Sequence, residues 1–123
     1  MSRKKILIVD DSSTVLLMEK MILGQGPYEV VSARDGQEGL EKAQAERPDL
    51  ILMDVIMPRM DGFEACRRLR EAEATRGIPV IMVSTRGELE SVENAYESGC
   101  SDYVTKPING LELLSKVRSY LGA

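Results

Sequence analysis

The chain has 123 residues, enough for one domain with a single buried core but too few for two. Hydrophobic residues make up 43% of it and charged residues 29%, a balance that excludes an intrinsically disordered chain. Its 20 acidic residues outnumber its 16 basic ones, and a net charge of −4 disfavours nucleic-acid binding, which needs a basic surface.

The sequence also lacks the signals of a secreted or membrane protein. No apolar run approaches the roughly 20 residues of a membrane span, and no signal peptide follows Met1, so we expect a cytoplasmic protein without membrane contact. Cys66 and Cys100 are too few for a disulfide framework, and we expect both to be reduced and partly buried. Histidine is absent, which excludes histidine-based triads and histidine-ligated zinc. Any chemistry must therefore use carboxylates, hydroxyls and lysines.

Five short runs rich in apolar and β-branched residues predict β-strands. They comprise residues 5–9, 29–33, 50–53, 80–83 and 103–104. The first, third and fourth runs are apolar throughout instead of alternating between apolar and polar residues. Strands buried on both faces have this pattern, as in a parallel sheet covered by helices on both sides.

Five amphipathic stretches predict helices at residues 14–25, 36–46, 62–74, 87–98 and 110–121. Four of them follow a capping residue placed three positions before a glutamate, namely Asp35 before Glu38, Asp61 before Glu64, Thr85 before Glu88 and Asn109 before Glu112. In this spacing two backbone N–H groups at the helix start find side-chain acceptors. Five strand–helix alternations predict an α/β domain with a doubly wound parallel sheet and right-handed crossovers.

Polar residues follow four of the predicted strands. They are Asp10 and Asp11, Asp54, Ser84 with Thr85, and Lys106. In a doubly wound sheet, ligands bind beyond the carboxyl ends of the strands, so these side chains are expected to meet. Taken singly, the acids suit helix capping or strand termination, and the lysine suits an ordinary surface position. The occurrence of all of them after successive strands favours a functional site instead. Three crowded carboxylates there predict a divalent cation such as Mg²⁺ or Mn²⁺.

A lysine and a hydroxyl beside a carboxylate-bound cation are suited to hold phosphoryl oxygens. Phosphoryl transfer depends mainly on positioning and charge neutralisation, and a carboxylate can itself accept the group as an acyl phosphate. The sequence contains neither GxxxxGK[ST] nor GxGxxG, so a nucleotide is a poor candidate for the phosphate source.

These segments resemble the receiver domain of bacterial two-component response regulators, of the single-domain chemotaxis-regulator type. The resemblance rests on ILIVDD at 6–11, LMDVIMPRMDG at 52–62, VS at 83–84 and DYVTKP at 102–107. It extends over essentially the whole chain and implies one receiver domain over residues 1–123. It also implies a flavodoxin-like (βα)5 three-layer sandwich with strand order 2-1-3-4-5.

The resemblance further implies a role for each site residue. Asp54 would accept a phosphoryl group from a histidine kinase or histidine phosphotransfer protein. Mg²⁺ would be held by Asp11, by Asp54, by the backbone carbonyl of Ile56 and, through water, by Asp10. Lys106 would pair with the phosphoryl oxygens, and the peptide bond between Lys106 and Pro107 would be cis, a form that proline permits at low cost.

The expected output is a conformational switch. We expect the Ser84 hydroxyl to move toward the phosphoryl group and Tyr103 to turn into the vacated space. This pair would bias the face formed by helix 4, strand 5 and helix 5 toward an output partner. The alternative for Tyr103 is an ordinary half-exposed aromatic residue.

Two helices predict contact surfaces. The first helix has more apolar residues than a sheet can cover, so Val15, Met18 and Met21 are candidates for docking the kinase or phosphotransfer partner. Extra burial against the fifth helix is the alternative.

The fourth helix carries one apolar and one acidic set of residues. We expect the apolar set to face the core; it comprises Leu89, Val92 and Tyr96. We expect the acidic set to face solvent or a basic partner; it comprises Glu88, Glu90, Glu93 and Glu97.

Ile56 and Arg86 flank the site two positions after the acceptor and after Ser84. A branched apolar side chain near the path of the attacking water predicts a phosphoryl group that outlives those of fast-responding family members.

Only Gly122 and Ala123 follow the last helix, which favours a stand-alone regulator that acts on another protein. A fragment of a larger regulator or hybrid kinase is the alternative.

Two other functions are considered as hypotheses. One is a Mg²⁺-dependent phosphohydrolase with an aspartyl nucleophile, and the other is a receiver-fold module that binds partners without phosphorylation. We do not expect a turnover enzyme, only intrinsic self-phosphotransfer and autodephosphorylation. We also expect a monomer or weak dimer without nucleic-acid contact.

Overall fold

A computed structural model describes residues 3–85 and 89–122, with the backbone alone for residues 89–92. Strands and helices alternate along this part of the chain. In order they are β1 (Lys4–Val9), α1 (Ser13–Leu23), β2 (Tyr28–Ala33), α2 (Gly36–Glu46), β3 (Leu50–Asp54), α3 (Gly62–Glu71), β4 (Val80–Ser84), α4 (Leu89–Glu97), β5 (Asp102–Thr105) and α5 (Gly110–Leu121).

The strands form one parallel sheet in the order β2-β1-β3-β4-β5. This confirms the predicted doubly wound (βα)5 three-layer sandwich. The register pairs Val9 with Met53, Asp54 with Val83, and Ser84 with Thr105. The carboxyl ends of β1, β3, β4 and β5 therefore lie side by side.

Two apolar clusters cover the two faces of the sheet. Alternate strand residues such as Met53 and Met82 join residues of α2, α3 and α4 in one cluster. Leu52 and Ile81 point the other way and join residues of α1 and α5. Every residue of β3 and of β4 is buried, as their unbroken apolar runs predict.

Helix starts follow the predicted capping chemistry. Asp35, Asp61 and Asn109 each accept a hydrogen bond from the backbone N–H of the glutamate three positions later. Ser12 caps α1 in the same way by accepting from the N–H of Val15. The predicted box from Thr85 to Glu88 lies outside the described residues because Glu88 is not among them.

Two predicted helix ends are wrong. α1 ends at Leu23 rather than at residue 25, because the chain turns at Gly24 and the N–H of Gly26 bonds to the carbonyl of Leu23. α3 ends at Glu71 rather than at residue 74. The hydroxyl of the buried Thr75 folds back and donates to the carbonyl of Leu69, satisfying one of the acceptors that a helix end leaves unpaired.

The prediction that Tyr96 faces the core is also wrong. Tyr96 is 47% exposed, and its neighbour Ala95 is the residue that reaches the core. Both cysteines are free thiols, as predicted, and both are buried, with Cys66 inaccessible to solvent and Cys100 8% exposed. Within the ranges that the structure describes, no helix combines the length and apolar character needed to cross a bilayer.

Candidate functional site

Three acidic side chains meet at the carboxyl edge of the sheet. Asp10 and Asp11 directly follow β1, and Asp54 is the last residue of the neighbouring β3. One carboxylate oxygen from each lies within 4.8 Å of the others. Asp10 and Asp54 are buried, at 1% and 5% exposure, whereas Asp11 is exposed. Hard oxygen donors grouped in this way suit a divalent cation such as Mg²⁺.

Lys106 bridges the two buried carboxylates. It directly follows β5, and its Nζ donates to Asp54 Oδ1 at 3.0 Å and to Asp10 Oδ2 at 3.1 Å. Burial lowers the pKa of Lys106, but its hydrogen bond to Asp54 and the charges of Asp54 and Asp10 outweigh burial and raise it. The ammonium therefore stays charged at the centre of the site.

Asp54 is nonetheless hard to ionise in this arrangement. Burial raises its pKa to about 6, and the charges of Asp10 and Asp11 act in the same direction against the lowering effect of Lys106. The single positive charge of Lys106 does not offset the negative charges of the three clustered carboxylates. The donor set thus calls for further positive charge, and a divalent cation held by these residues fits that need.

Close backbone packing holds Asp54 in place. Gly62, the first residue of α3, leaves no room for a Cβ, which would overlap the backbone carbonyl oxygen of Asp54. The N–H of Gly62 donates to the carbonyl of Val55 at 2.8 Å and ties the loop back onto the strand end. Position 62 therefore requires glycine for steric reasons, and Asp61 before it caps α3.

The remaining predicted residues lie around this centre. Ser84 is buried at the end of β4, and its carbonyl accepts from the N–H of Lys106 at 2.6 Å. The Lys106–Pro107 peptide bond is cis. Tyr103 is half-buried and packs against one core cluster. Ile56 is 59% exposed, and Arg86 lies outside the described residues.

The predicted docking surface on α1 is partly exposed. Met18 and Met21 are 40% and 68% exposed, and Leu17 beside them is 59% exposed. Val15 is half-buried instead, and its backbone N–H donates to the Ser12 hydroxyl that caps α1. On α5, Leu111 is 83% exposed.

Sequence reasoning missed one acid near the site. Glu19 is 2% exposed on the buried face of α1, which it shares with Leu16 and Leu23. Burial raises its pKa to about 8, an effect that the charge of Asp10 adds to and that of Lys106 opposes. Its spacing of three and four residues from those leucines is the signal that would have found it.

Comparison with known families gives this geometry a context. The family model described as response regulator receiver domain matches residues 6–118. The chain belongs to this family. The receiver domain is 37% identical over 118 residues to the alkaline phosphatase synthesis transcriptional regulatory protein PhoP of Bacillus subtilis, covering 96% of this chain and 48% of that protein. It spans about half the length of the first curated relatives it matches.

Solved structures show the same fold. The chemotaxis protein CheY4 of Vibrio cholerae superposes on the receiver domain with a TM-score of 0.91 at 34% identity, covering 97% of this chain and 99% of that one. The receiver domain of the sensor histidine kinase PA1611 of Pseudomonas aeruginosa PAO1 also gives 0.91, at 30% identity, with 99% and 100% covered. That structure has a magnesium ion coordinated in its active site cleft.

Proposed function

We propose that this receiver domain is a phosphoacceptor switch in which Asp54 receives a phosphoryl group from a histidine kinase or histidine phosphotransfer protein. The observation that carries the proposal is the bridge from Lys106 to Asp54 within a cluster of three carboxylates. A structural ion pair would not need two further acids whose charges disfavour ionisation of Asp54.

In the transfer, a carboxylate oxygen of Asp54 attacks the phosphorus of a phosphohistidine. The new O–P bond forms as the P–N bond breaks, and the bonding electron pair leaves with the imidazole nitrogen, giving an acyl phosphate and free histidine. Lys106 neutralises charge on the phosphoryl oxygens as they arrive. Hydrolysis is a separate step that ends the phosphorylated state: water attacks the phosphorus, the bond from phosphorus to the Asp54 oxygen breaks, and the Asp54 carboxylate and inorganic phosphate are released.

Asp11, Asp54 and the backbone carbonyl of Ile56 would hold Mg²⁺ or Mn²⁺, with Asp10 acting through water. When bound, the cation supplies the positive charge that stabilises the phosphoryl oxygens. With the cation bound, the domain would catalyse its own phosphorylation and dephosphorylation, and it would not turn over a substrate as a conventional enzyme does.

The switch residues are Ser84 and Tyr103. Ser84 ends β4 beside the site, and Tyr103 lies on the adjacent β5, where Val104 pairs with Val83. Donation of the Ser84 hydroxyl to a phosphoryl oxygen would open space for the Tyr103 ring. The resulting change would reach the α4–β5–α5 face and an output protein there.

The remaining assignments are part of the same proposal. Residues 1–123 form one cytoplasmic receiver domain, a monomer or weak dimer, whose upstream partner docks on α1 at Met18 and Met21. Its net charge of −4 disfavours direct nucleic-acid contact by this domain.

Intact-mass analysis after incubation with acetyl phosphate and Mg²⁺ tests the proposal. We expect the mass to rise by one phosphoryl group, and the Asp54→Ala variant to stay unmodified. A wild-type chain that stays unmodified would indicate a partner-binding module without phosphorylation. Continuous release of phosphate from many phosphate esters would indicate a phosphohydrolase.

A further inference from the structure

One carboxylate joins the backbone of β5 to a side chain of α5. Asp102 is the first residue of β5, and its Oδ1 accepts from the backbone N–H of Tyr103 at 2.8 Å and from Lys116 Nζ at 2.9 Å. Lys116 lies in the middle of α5. A single oxygen atom therefore links the amide of the proposed switch residue Tyr103 to the neighbouring helix.

A second side chain of α5 reaches the same end of β5. The Tyr120 hydroxyl donates to the backbone carbonyl of Ser101 at 2.8 Å and lies 3.4 Å from Asp102 Oδ2. The N–H of Ser101 in turn donates to the carbonyl of Val80 in β4 at 2.7 Å. The start of β5 is thus fixed on one side by the backbone of β4 and on the other by side chains of α5.

The ion pair between Lys116 and Asp102 is more sheltered than an ordinary surface pair. Its side chains are 29% and 22% exposed, whereas those of the pair between Arg68 and Glu64 on α3 are 54% and 44% exposed. Water and salt screen the sheltered pair less. The hydrogen bond to Asp102 raises the pKa of Lys116, so the ammonium stays charged at neutral pH.

Lys116 determines where the Asp102 carboxylate points. An aspartate side chain without a partner exchanges between rotamers, and holding it in one of them costs conformational entropy. The bond from the ammonium offsets that cost and keeps Oδ1 against the N–H of Tyr103. Without the ammonium the carboxylate can turn toward solvent, and the connection between Tyr103 and α5 is lost.

We propose that Asp102 and Lys116 are positioning residues that couple Tyr103 to α5, so that a change at Tyr103 on phosphorylation passes to the helix through the Asp102 carboxylate. Neither side chain touches the phosphoryl group. This inference rests on the proposed function, because the change that it transmits begins with phosphorylation of Asp54.

The first test needs no phosphoryl group. Lys116→Met removes the ammonium but keeps an unbranched side chain, and we expect deuterium exchange of the Tyr103 amide to become about three- to tenfold faster. Lys116→Arg keeps a charged donor and should stay within about twofold of wild type. Arg68→Met removes the exposed pair with Glu64, and as the matched control it should leave the exchange rate unchanged.

The second test follows the change into α5. After incubation of wild type with acetyl phosphate and Mg²⁺, the NMR amide signals of Tyr103 and Val117 should both shift. In Lys116→Met the shift at Tyr103 should remain and the shift at Val117 should fall to less than half, whereas Lys116→Arg and Arg68→Met should keep both shifts.

Two results would overturn the proposal. One is a shift of wild-type size at Val117 in Lys116→Met, and the other is an unchanged exchange rate of the Tyr103 amide in that variant. If wild type itself takes no phosphoryl group, the proposed function fails. The exchange comparison then still decides whether Lys116 holds Asp102 against Tyr103.

Discussion

Lys106 Nζ lies 3.0 Å from Asp54 Oδ1, so the residue after the last strand and the residue ending the central strand form one ion pair across the edge of the sheet. The pair is mostly buried, with side-chain exposures of 18% and 7%, and screening by water is correspondingly weak. This contact sets both the charge of the acceptor and the place where a phosphoryl group would be bound.

Replacing Lys106 with Met should raise the pKa of Asp54 above its wild-type value of about 6. The lysine hydrogen bond and charge both favour the ionised carboxylate, and the variant removes them while burial and the neighbouring aspartates remain. The measurement is an NMR titration of the Asp54 carboxyl carbon in Mg²⁺-free protein. Lys116→Met is the matched control, because Lys116 pairs with Asp102 at 2.9 Å instead. An Asp54 pKa that stays the same or falls in Lys106→Met would contradict the assignment.

Gly62→Ala should destabilise the fold by about 2–3 kcal/mol or more, because the added methyl group meets backbone at Asp54 that cannot move aside. Chemical denaturation measures the change. Gly77→Ala serves as the control, since a Cβ there has no neighbour within 4 Å, and it should change stability by less than about 0.5 kcal/mol. Equal stability of the two variants would mean that the close approach at Asp54 is not present in solution.

Stability should fall as the pH rises from about 4.5 to about 8, in part because of Glu19. Burial raises the pKa of Glu19 from 4.5 to about 8, so the folded protein holds a proton that the unfolded chain releases. The contribution of the protonated group is complete below pH 4.5 and is lost as the pH passes about 8. Asp54 acts in the same direction between its ordinary value of 3.8 and about 6.

Glu19→Gln removes the first of these two contributions. At pH 8 it should be more stable than wild type by roughly 1–3 kcal/mol, and near pH 4 the two should be alike. Urea denaturation at a series of pH values measures the difference. A constant gap between the two proteins at every pH would show that Glu19 does not titrate in this range.

Met18→Glu and Met21→Glu should slow phosphoryl transfer from a cognate histidine kinase or phosphotransfer protein while leaving phosphorylation by acetyl phosphate intact. Both side chains are exposed on α1, so a charge there is tolerated by the fold but disfavoured in an apolar contact. We expect at least a tenfold loss, about the effect of 1.4 kcal/mol. Ala45→Glu, an exposed position on α2, is the control. Unchanged kinase-dependent rates in both Met variants would rule out docking on this surface.

The sequence predicts the strands of the sheet well and the ends of the helices poorly. The unbroken apolar runs at residues 50–53 and 80–83 require burial on both faces of the sheet, and capping residues such as Asp35 identify helix starts from neighbouring positions alone. The end of α3 depends instead on the Thr75 hydroxyl folding back over several residues to Leu69, which no local pattern contains.

The site follows the same division. Asp10, Asp54 and Lys106 could be placed together because parallel strands bring their carboxyl ends to one edge. Glu19 was missed because a single acid among the apolar residues of a helix usually faces solvent, although its spacing from Leu16 and Leu23 puts it on the buried face of α1. Tyr96 is exposed for the converse reason, since Ala95 fills the core position of α4.

The position of the phosphoryl group within the chain tests the central claim most directly. After incubation with acetyl phosphate and Mg²⁺, borohydride reduction converts an acyl phosphate of aspartate to homoserine, which peptide mass spectrometry locates. We predict homoserine at residue 54 alone, dependent on the divalent ion and strongly reduced in Lys106→Met. Homoserine at another aspartate, or none at all in a folded wild-type chain, would contradict the account.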